Sequence, residues 1–590
     1  MKLKREKQKI MFQQNPQSNS RDFKGSNPPP LEKMRLDHLR WIWSYVKEHW
    51  KIGVIGAIGM IVLSLLSLPA PYLTKIVIDQ AIGGRNVHLL NLIILALIGI
   101  QLLLFGASWV TNYSFNRFSL EIITRMKKDL YYRILRFPMS FFAQYQTGYI
   151  MSRIGEIEGL NLFFSMTLVQ VAISFFRFIF CLGIMFHLNV KLTAISLCFL
   201  PLLFWITKRS TKELRRISWQ YYEKSAVISQ GMQDSLSGIE VIKSYGGETR
   251  EAEKFHLRLN DIKSMNLRRT VLVSFYSESV SFLGAGIGFV ILWWSGWKII
   301  SGQFTLGSYL AFVAYFTQLF GPTQMLANLG LTLQPARVAL QRIRELLKVI
   351  AEDEPGKFRT ISSLKGRISL QGIDFEYEAG KPVFSKASLE IGVGEKILIV
   401  GPNGSGKSTL IKLIMGFYQP QGGKILFDGQ PLNEISTVSL REHISVVSQS
   451  TFLFSDTIRN NILYSAPEAT DEELKEALRL SGAMEFVCAM PQALDTEVGE
   501  RGIRLSGGER QKLSIARAIL RKSDLIIFDE ATTHLDNASI RLLRDMMKNR
   551  FADKTCLVIS HRPIEIPVID HIYLIERGGL QELDSLHVSG

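Results

Sequence analysis

Long uncharged stretches are the first feature of the hydrophobic pattern. Residues 52–74 contain no Lys, Arg, Asp or Glu, and neither do residues 86–116. Both stretches exceed the roughly 20 apolar residues that a helix needs to cross a hydrocarbon layer about 30 Å thick. The sequence therefore predicts a membrane protein with six candidate spans, at residues 53–78, 87–112, 159–184, 189–207, 271–297 and 306–328.

The basic residues between the spans predict how the chain is oriented. The connections 81–88, 187–191 and 298–305 carry one basic residue each, whereas 125–136 and 208–216 are dense in Lys and Arg. Connections rich in Lys and Arg stay on the cytosolic side of a membrane. We therefore expect a multi-pass protein with both termini in the cytosol. A bacterial plasma (inner) membrane is the expected location, although the distribution of basic residues does not itself identify the membrane.

Two of the predicted helices continue well beyond the membrane. Segments 117–158 and 208–269 keep a helical pattern over much of their length, and they are too long for tight turns. We expect them to extend into the cytosol and to reverse around residues 141–148 and 235–248. These two reversals are the places where the membrane part could contact a soluble part.

Charge and cysteine content exclude some functions. The chain of 590 residues has a formal net charge of +16, but its basic residues cluster beside apolar spans. This position indicates contact with anionic lipid headgroups rather than with nucleic acid. The four cysteines show no metal-ligand spacing and are assigned no chemistry. Residues 1–38 begin with a basic run that no apolar run follows, which predicts a disordered cytosolic tail.

The pattern changes after residues 342–358, RIRELLKVIAEDEPGKF. From about residue 365 to the end, short β-rich runs alternate with helical ones, as is typical of a single α/β domain. We therefore divide the chain into an N-terminal tail at 1–38, a membrane domain at 39–350 and an α/β domain at 351–590.

The α/β part contains a phosphate-binding pattern. The run KILIVGPNGSGKSTLIKLIMG reads as a buried strand, a glycine-rich turn and a helix, with the spacing G-x-x-x-x-G-K-[ST]. Backbone amides in such a loop point at phosphate, the lysine binds the β and γ phosphates, and the serine hydroxyl binds Mg²⁺. The alternative is a glycine-rich turn without a ligand. The candidate residues are Gly401, Pro402, Asn403, Gly404, Ser405, Gly406, Lys407, Ser408 and Thr409.

Two adjacent carboxylates follow a second apolar strand, in LIIFDE. Asp529 is placed to bind Mg²⁺, and Glu530 is the candidate that orients and deprotonates an attacking water. Desolvated like charges repel, and a bound cation removes that objection. A solvated structural role is the alternative for Glu530. The run LSGGERQ lies before LIIFDE in the chain. Its residues Ser506, Gly507 and Gly508 precede a helix and form a second candidate phosphate cradle.

Taken together, GPNGSGKST, LSGGERQ and LIIFDE resemble the ATP-binding cassette (ABC) proteins, and the six spans before them look like an ABC exporter half-transporter. The resemblance covers about residues 40–590. It implies a membrane α-helical bundle of six long helices with cytosolic extensions, followed by an α/β P-loop NTPase domain of ABC type. It also implies ATP and Mg²⁺ as the bound cofactors.

The resemblance implies further site residues. Tyr377 would stack on adenine, Gln449 would link Mg²⁺ and the water to the membrane domain, His561 would contact the γ-phosphate, and Asp536 would join the nucleotide site. Without the resemblance, an aromatic on a strand and a lone histidine are more often packing or satisfied polar residues. Lys407 and Gln449 are grouped with Glu530 and His561 as catalytic, and Ser408, Gln449 and Asp529 as metal ligands.

The resemblance also implies a partner. In the family, the signature of one chain closes over the nucleotide of another, so the second cradle would serve the neighbour's ATP. A homodimer is sufficient and a heterodimer is possible, since His534 stands in the loop after Glu530 where a smaller residue is expected.

The function implied is ATP-driven export of a lipophilic or amphipathic drug, lipid or peptide by alternating access. The alternative is an ATP-gated channel or signalling protein without stoichiometric pumping. Arg177 and Glu278 fall inside predicted spans, and they either pair with each other or contact substrate.

Overall fold

The computed structural model describes residues 36–145, 147–332, 334–353, 358–531, 537–560 and 568–583. The predictions made for the N-terminal tail before residue 36, and for His534, Asp536 and His561, lie outside these residues. The chain divides into two compact units. The first contains the residues up to Tyr131 together with Met151–Lys348, and the second contains Tyr132–Ile150 together with the chain from Val349 onward.

The membrane unit is built from long helices, as predicted. In the described residues, four helical stretches are long and apolar enough to cross a membrane: Trp41–Ile82, Val87–Ile134, Thr147–Leu188 and Glu248–Ile300. All six predicted spans lie within helical segments. The bounds of the main helices are Leu36–Ser67, Pro69–Ile76, Val87–Ile134, Met166–Leu188, Val190–Cys198, Leu200–Ser237, Glu248–Ile300, Leu306–Thr332 and Gln334–Leu347.

Three predicted spans are interrupted. The first is broken at Leu68, directly before Pro69, and continues through a π-helix at Val77–Ile82. The third has a break at Ser165, whose backbone is extended between the helices Asn161–Phe164 and Met166–Leu188. The fourth is broken at Phe199, with a proline in the first turn of the next helix. A proline has no N–H to donate to the preceding turn, so a helix can begin there but cannot easily run through.

The short boundary between the third and fourth spans is real. Asn189 has an extended backbone, and its side chain accepts a hydrogen bond from the Leu192 N–H at 3.1 Å. Asn189 directly follows Leu188, and as the N-cap it begins the helix Val190–Cys198. A single asparagine therefore separates two apolar helices that hydropathy alone does not resolve.

Helices that extend well beyond a membrane span, and short helices at both predicted reversals, are present, while their cytosolic position stays a prediction. The second span belongs to a helix of 48 residues and the fifth to one of 53 residues, more than twice what a membrane requires. The reversals contain short helices at Met139–Gln144 and Ile239–Ser244.

The first two long helices pack through a row of glycines. A Cβ added at Gly53 would lie 3.1 Å from Phe118, and one at Gly56 would lie 2.8 Å from Phe115. A Cβ at Gly59 would collide with Thr111. Lipid tails supply little hydrophobic drive for helix association, so close packing of small residues does this work in membranes.

The predicted pair between Arg177 and Glu278 is not formed. The Arg177 Nε donates to the Ser64 hydroxyl at 3.4 Å, while Glu278 is exposed on its helix. Ser64 offers a neutral acceptor on a neighbouring helix, so the guanidinium needs no carboxylate to be hydrogen-bonded. A role of either residue in substrate contact stays a prediction.

The second unit contains two sheets. The larger has the strand order β10-β9-β3-β8-β7-β6, in which all neighbours are parallel except β10 and β9. The smaller is antiparallel, with the order β2-β1-β4-β5. The strands are β1 Ile368–Glu376, β2 Pro382–Ile391, β3 Lys396–Val400, β4 Gly422–Phe427, β5 Gln430–Pro431, β6 Ile444–Val447, β7 Leu525–Asp529, β8 Thr555–Ile559, β9 His571–Glu576 and β10 Gly579–Leu583.

Helices of this unit flank the parallel strands and complete its apolar core. The central strands β3, β7 and β8 are buried almost throughout, which explains their continuous apolar sequence. The helices are Lys407–Ile414, Thr437–Glu442, Ile458–Leu463, Asp471–Leu480, Met484–Ala489, Gly507–Arg521 and Asn537–Asn549.

The glycine row generates a prediction. Gly56→Leu should lower the free energy of unfolding of the membrane unit by about 1–3 kcal/mol, because the added side chain overpacks against Phe115. The measurement is thermal unfolding of the full chain in lipid nanodiscs. Gly106→Leu is the matched control, since a Cβ there meets no atom within 4 Å. Equal melting temperatures for the two variants would contradict the packing role.

Candidate functional site

The predicted site residues assemble at one edge of the larger sheet. The loop 401–406 follows β3, Glu530 follows β7, and Gln449 stands two residues after β6. These three strands are parallel within the sheet, so their carboxyl ends share an edge. In open α/β sheets, ligands bind at this edge.

Lys407 lies inside the loop that precedes it. Its Nζ donates to the carbonyl oxygens of Gly401 at 2.7 Å and Pro402 at 2.9 Å. Burial lowers the pKa of Lys407, and the nearby Glu530 and Asp529 carboxylates oppose that effect. A buried ammonium held by carbonyl oxygens, with two carboxylates near it, favours any anion that enters the loop.

The loop has the shape of a phosphate cradle. Gly406 has φ 111° and is the N-cap of the helix Lys407–Ile414, and a Cβ there would lie 3.0 Å from Val383 and 3.1 Å from Phe384. The buried Ser405 hydroxyl has no hydrogen-bond partner in the described residues. The unpaired N–H groups of the first helical turn face the same loop. Asn403 and Gly404 are exposed at the turn, and Thr409 is buried beneath it.

The two adjacent carboxylates differ in their surroundings. Burial raises the pKa of Asp529, as does the charge of Glu530, while Lys407 and Lys412 lower it. Glu530 has the left-handed backbone value φ 50°, and its N–H donates to the Ile559 carbonyl at 3.0 Å. A non-glycine residue held in this region is strained, and such strain concentrates at functional sites.

Gln449 contacts the second carboxylate. Its Nε2 donates to the Glu530 Oε2 at 2.6 Å. The sequence predicted that both residues act on one water, and the structure brings them together without ligand. Their chemical roles stay predictions.

The residues predicted to bind a metal fit a hard divalent cation. Ser408 offers an exposed hydroxyl, Asp529 a carboxylate and Gln449 an amide oxygen, which are the oxygen ligands that Mg²⁺ accepts beside phosphate. Within the described residues, no group of three His, Cys, Asp or Glu could hold a metal ion without such help.

Tyr377 follows β1 and is 47% exposed. Its hydroxyl lies 3.2 Å from the Thr409 hydroxyl, and its ring meets Phe375 and Tyr418 edge-on, at 4.9 and 5.2 Å between centroids. The Lys412 Nζ lies 5.7 Å from the ring centroid. The sequence reasoning missed Lys412 and Tyr418, which no motif marks. Stacking of Tyr377 on a base stays a prediction.

The second cradle is the N-terminus of the helix Gly507–Arg521, which we call the signature helix. The Ser506 hydroxyl accepts from the Glu509 N–H at 3.3 Å, and the Glu509 carboxylate accepts from the Ser506 N–H at 2.7 Å. This capping box leaves the amides of Gly507 and Gly508 without an intrahelical acceptor. The spacing Ser-x-x-Glu could have predicted the role of Glu509. In the described residues, no hydrogen bond or ion pair joins Ser506, Gly507 or Gly508 to the loop 401–409.

Comparison with known proteins places this geometry in a family. Residues 54–323 match the ABC transporter transmembrane region, and residues 384–533 match the ABC transporter family. An ATP-dependent lipid A-core flippase of Thiobacillus denitrificans is 30% identical over 541 residues, which is 91% of this chain and 93% of the flippase.

A Bacillus subtilis protein described as putative multidrug export ATP-binding/permease protein YgaD is 30% identical over 556 residues, 92% of this chain and 95% of that protein. The structure of a bacterial Atm1-family ABC exporter with ATP bound has the same fold. Its TM-score is 0.79 at 24% identity, and the match covers 92% of this chain and 96% of that one. The chain therefore belongs to the ABC transporter family, as an exporter-type half-transporter whose ATPase domain is coupled to translocation.

Proposed function

We propose that two copies of this chain form an exporter that hydrolyses ATP at two shared sites and moves an amphipathic lipid or drug across a bacterial plasma membrane. The observation that carries the hydrolytic part is the 2.6 Å hydrogen bond between Gln449 and Glu530. It supports turnover rather than simple gating, because a carboxylate and an amide already meet at the point where a water must be oriented.

The roles of the other residues follow from their positions. Lys407 releases the carbonyl oxygens of Gly401 and Pro402 and binds the β and γ phosphates of ATP, which are stronger acceptors. Ser408, Asp529 and Gln449 would hold Mg²⁺, which would supply positive charge beside the phosphate oxygens. Glu530 takes a proton from the attacking water while Gln449 fixes its orientation. Tyr377 would stack on the base, and the family resemblance alone adds Asp536 and His561, which lie outside the described residues.

The signature helix supports a shared site. Its N-terminus carries unpaired amides and the positive end of a helix of 15 residues, which attract an anion. Without contact to the loop 401–409 in the described residues, it is available to the ATP of a second copy. One chain contains every element required, so a homodimer suffices.

The energies are sufficient for a switch. Moving an open–closed equilibrium from 1:99 to 99:1 takes about 5.5 kcal/mol. Hydrogen bonds to charged groups contribute roughly 1.5–3 kcal/mol each. A few contacts to the γ-phosphate at each site therefore close the dimer, and hydrolysis removes them.

The two cytosolic reversals are the proposed transmission elements. Phe141 of the first reversal is buried, and the residues Tyr132–Ile150 around it belong to the same compact unit as the chain from Val349 onward. The second reversal exposes the apolar side chains of Ile239, Val241 and Tyr245, with Tyr245 83% exposed. Apolar side chains on a short cytosolic helix support a docking role.

The proposed cargo rests on the relatives. They include lipid A-core flippases and a putative multidrug exporter, each matched over about nine-tenths of this chain. These names have in common a cargo with an apolar body, and the bilayer itself is where such a molecule would be collected.

The first prediction concerns Glu530. Glu530→Gln should lower the kcat of ATP hydrolysis by roughly 100- to 10,000-fold, because the general base is lost, while ATP affinity is retained. Glu468→Gln is the control, since Glu468 is an exposed carboxylate outside the site. With ATP and Mg²⁺, the inactive variant should have the mass of a dimer by light scattering in nanodiscs. A monomeric mass would contradict the shared site.

A second prediction concerns Asp529. Because burial raises the pKa of Asp529 above its ordinary value, ionised Asp529 destabilises the folded state as pH rises through that raised pKa. Asp529→Asn removes this penalty and should raise the melting temperature of nucleotide-free protein by about 2–4 °C at pH 8, while abolishing hydrolysis. The gain should shrink as the pH is lowered. A melting temperature that falls at pH 8 would contradict this account of the carboxylate.

Transport itself separates the proposal from gating. In inverted membrane vesicles, wild-type protein should accumulate a labelled amphipathic lipid or dye against its gradient with ATP, and Glu530→Gln should not. Equilibration without accumulation, in the presence of normal ATPase activity, would favour an ATP-gated channel. The same panel of lipids and drugs, tested for ATPase stimulation, identifies the cargo class.

A further inference from the structure

Arg517 is a half-buried cation of the signature helix with neutral acceptors. Its Nε donates to the Asn461 carbonyl at 2.6 Å, its Nη1 to the Phe452 carbonyl at 2.7 Å, and its Nη2 to the Asn461 Oδ1 at 2.8 Å. No Asp or Glu of the described residues forms an ion pair with it. Burial lowers the pKa of Arg517. Burying a guanidinium without a carboxylate costs free energy. Its hydrogen bonds to neutral acceptors constrain the residues that supply those acceptors.

The main partner is Asn461, which is 1% exposed. Its Nδ2 donates to the carbonyl oxygens of Phe454 at 2.9 Å and Thr457 at 3.0 Å, and its Oδ1 also accepts from the Phe454 N–H at 2.8 Å. Asn461 therefore binds both the backbone N–H and the carbonyl oxygen of Phe454. Arg517 and Asn461 together act as one clamp, which we call the Arg517–Asn461 clamp.

The clamped segment is the one that follows Gln449. Residues 451–454 belong to no helix or strand, so they have no ladder or helical hydrogen bonds to define their path. Gln449 is fixed on one side by β6, which ends at Val447. On the other side, the Ser450 carbonyl accepts from the Ser448 hydroxyl at 3.1 Å, a bond within the same loop, and the Phe452 carbonyl accepts from Arg517 of the signature helix at 2.7 Å.

The signature helix joins this clamp to the second cradle. Ser506 and Arg517 are eleven positions apart, a rise of about 16 Å along a continuous helix. A movement of the Ser506 end therefore moves the guanidinium as part of one rigid element. One hydrogen bond passes that movement directly to Phe452, and two pass it to Asn461, whose side chain binds Phe454.

We propose that Arg517 is a positioning residue for hydrolysis, which fixes Gln449 against Glu530 and transmits to that contact the binding of the partner's nucleotide at Ser506. The inference rests on the proposed function of Gln449 and Glu530. It adds a residue that touches neither nucleotide nor water, and whose effect passes through the Arg517–Asn461 clamp.

The test compares two arginines of the same helix. Arg517→Lys keeps the charge but cannot reach three acceptors, and it should lower kcat about tenfold, equivalent to about 1.4 kcal/mol, with KM for ATP changed less than about twofold. Arg521→Lys is the matched control. Arg521 also donates to carbonyl oxygens, of Arg441 at 2.8 Å and Glu442 at 3.3 Å, away from the clamped segment, and kcat should be unchanged.

A double-mutant cycle separates positioning from general stability. If Arg517 acts through Gln449, the variant carrying Gln449→Ala and Arg517→Lys should be no slower than Gln449→Ala alone. Additive losses in kcat, or equal kcat for Arg517→Lys and Arg521→Lys, would overturn the inference. Glu530→Gln is run in parallel. If that variant remains active, the proposed function itself fails, whereas an inactive Glu530→Gln with additive losses overturns the positioning role alone.

A second variant covers the case in which Arg517→Lys does not fold. Asn461→Asp keeps the oxygen that faces Arg517 and loses the N–H donors to Phe454 and Thr457. It should lower kcat with little change in KM, and the loss should disappear in a Gln449→Ala background. An unchanged kcat, or a loss that persists in that background, would overturn the clamp.

Discussion

Uncompensated charge at the edge of the parallel sheet is the constraint on which the rest depends. Asp529 and Glu530 are adjacent, burial raises the pKa of the first, and the second is held at φ 50°. Lys407 faces them, bound to backbone carbonyls and partly desolvated. Under the proposed function, repulsion between the carboxylates and the desolvation of the ammonium would both be relieved by one event, the arrival of phosphate with a divalent cation. These groups are therefore placed to bind a ligand. The free energy that their burial and repulsion cost without phosphate would be regained when phosphate binds.

The signature helix shows how one element can serve two sites. Its N-terminus is a capped helix start with free amides, suited to an anion that its own loop 401–409 does not supply in the described residues. Its other end holds the segment that leads to Gln449 through Arg517. Under the proposed function, the helix binds the partner's nucleotide at one end and positions the segment after Gln449 at the other. Hydrolysis in one chain would therefore depend on the nucleotide bound by its partner. Such a coupling needs no large rearrangement, because the segment after Gln449 has no secondary structure of its own to resist it.

Patterns of sequence predicted the parts of the molecule that are dictated locally. Uncharged length located the four helical stretches that are long and apolar enough to cross a membrane, and the strand–turn–helix pattern located the glycine-rich loop 401–406, since both depend on neighbouring residues. The prolines that follow Leu68 and Phe199 could have predicted those two breaks, and Ser506 with Glu509 could have predicted the capping box. None of these features was predicted. What could not be predicted are contacts between distant segments. Arg177 pairs with Ser64 rather than Glu278, Lys412 lies over Tyr377, and Arg517 meets Asn461 from a position 56 residues away. Nothing in local propensity encodes such pairs.

The two units are stabilised by different physics, and this difference suits their functions. In the membrane unit, glycines let the first two long helices approach until Gly56 meets Phe115, because lipid gives little reward for burying apolar surface. Close van der Waals contact holds such an interface together. The helices can exchange it for another helix–helix contact of similar stability. In the nucleotide-binding unit, a buried apolar core around β3, β7 and β8 fixes the strands, since burial from water is strongly favourable there. Catalysis requires side chains held within fractions of an ångström, whereas alternating access requires helices that repack. A water-driven core meets the first requirement, and a membrane interface without a hydrophobic drive meets the second.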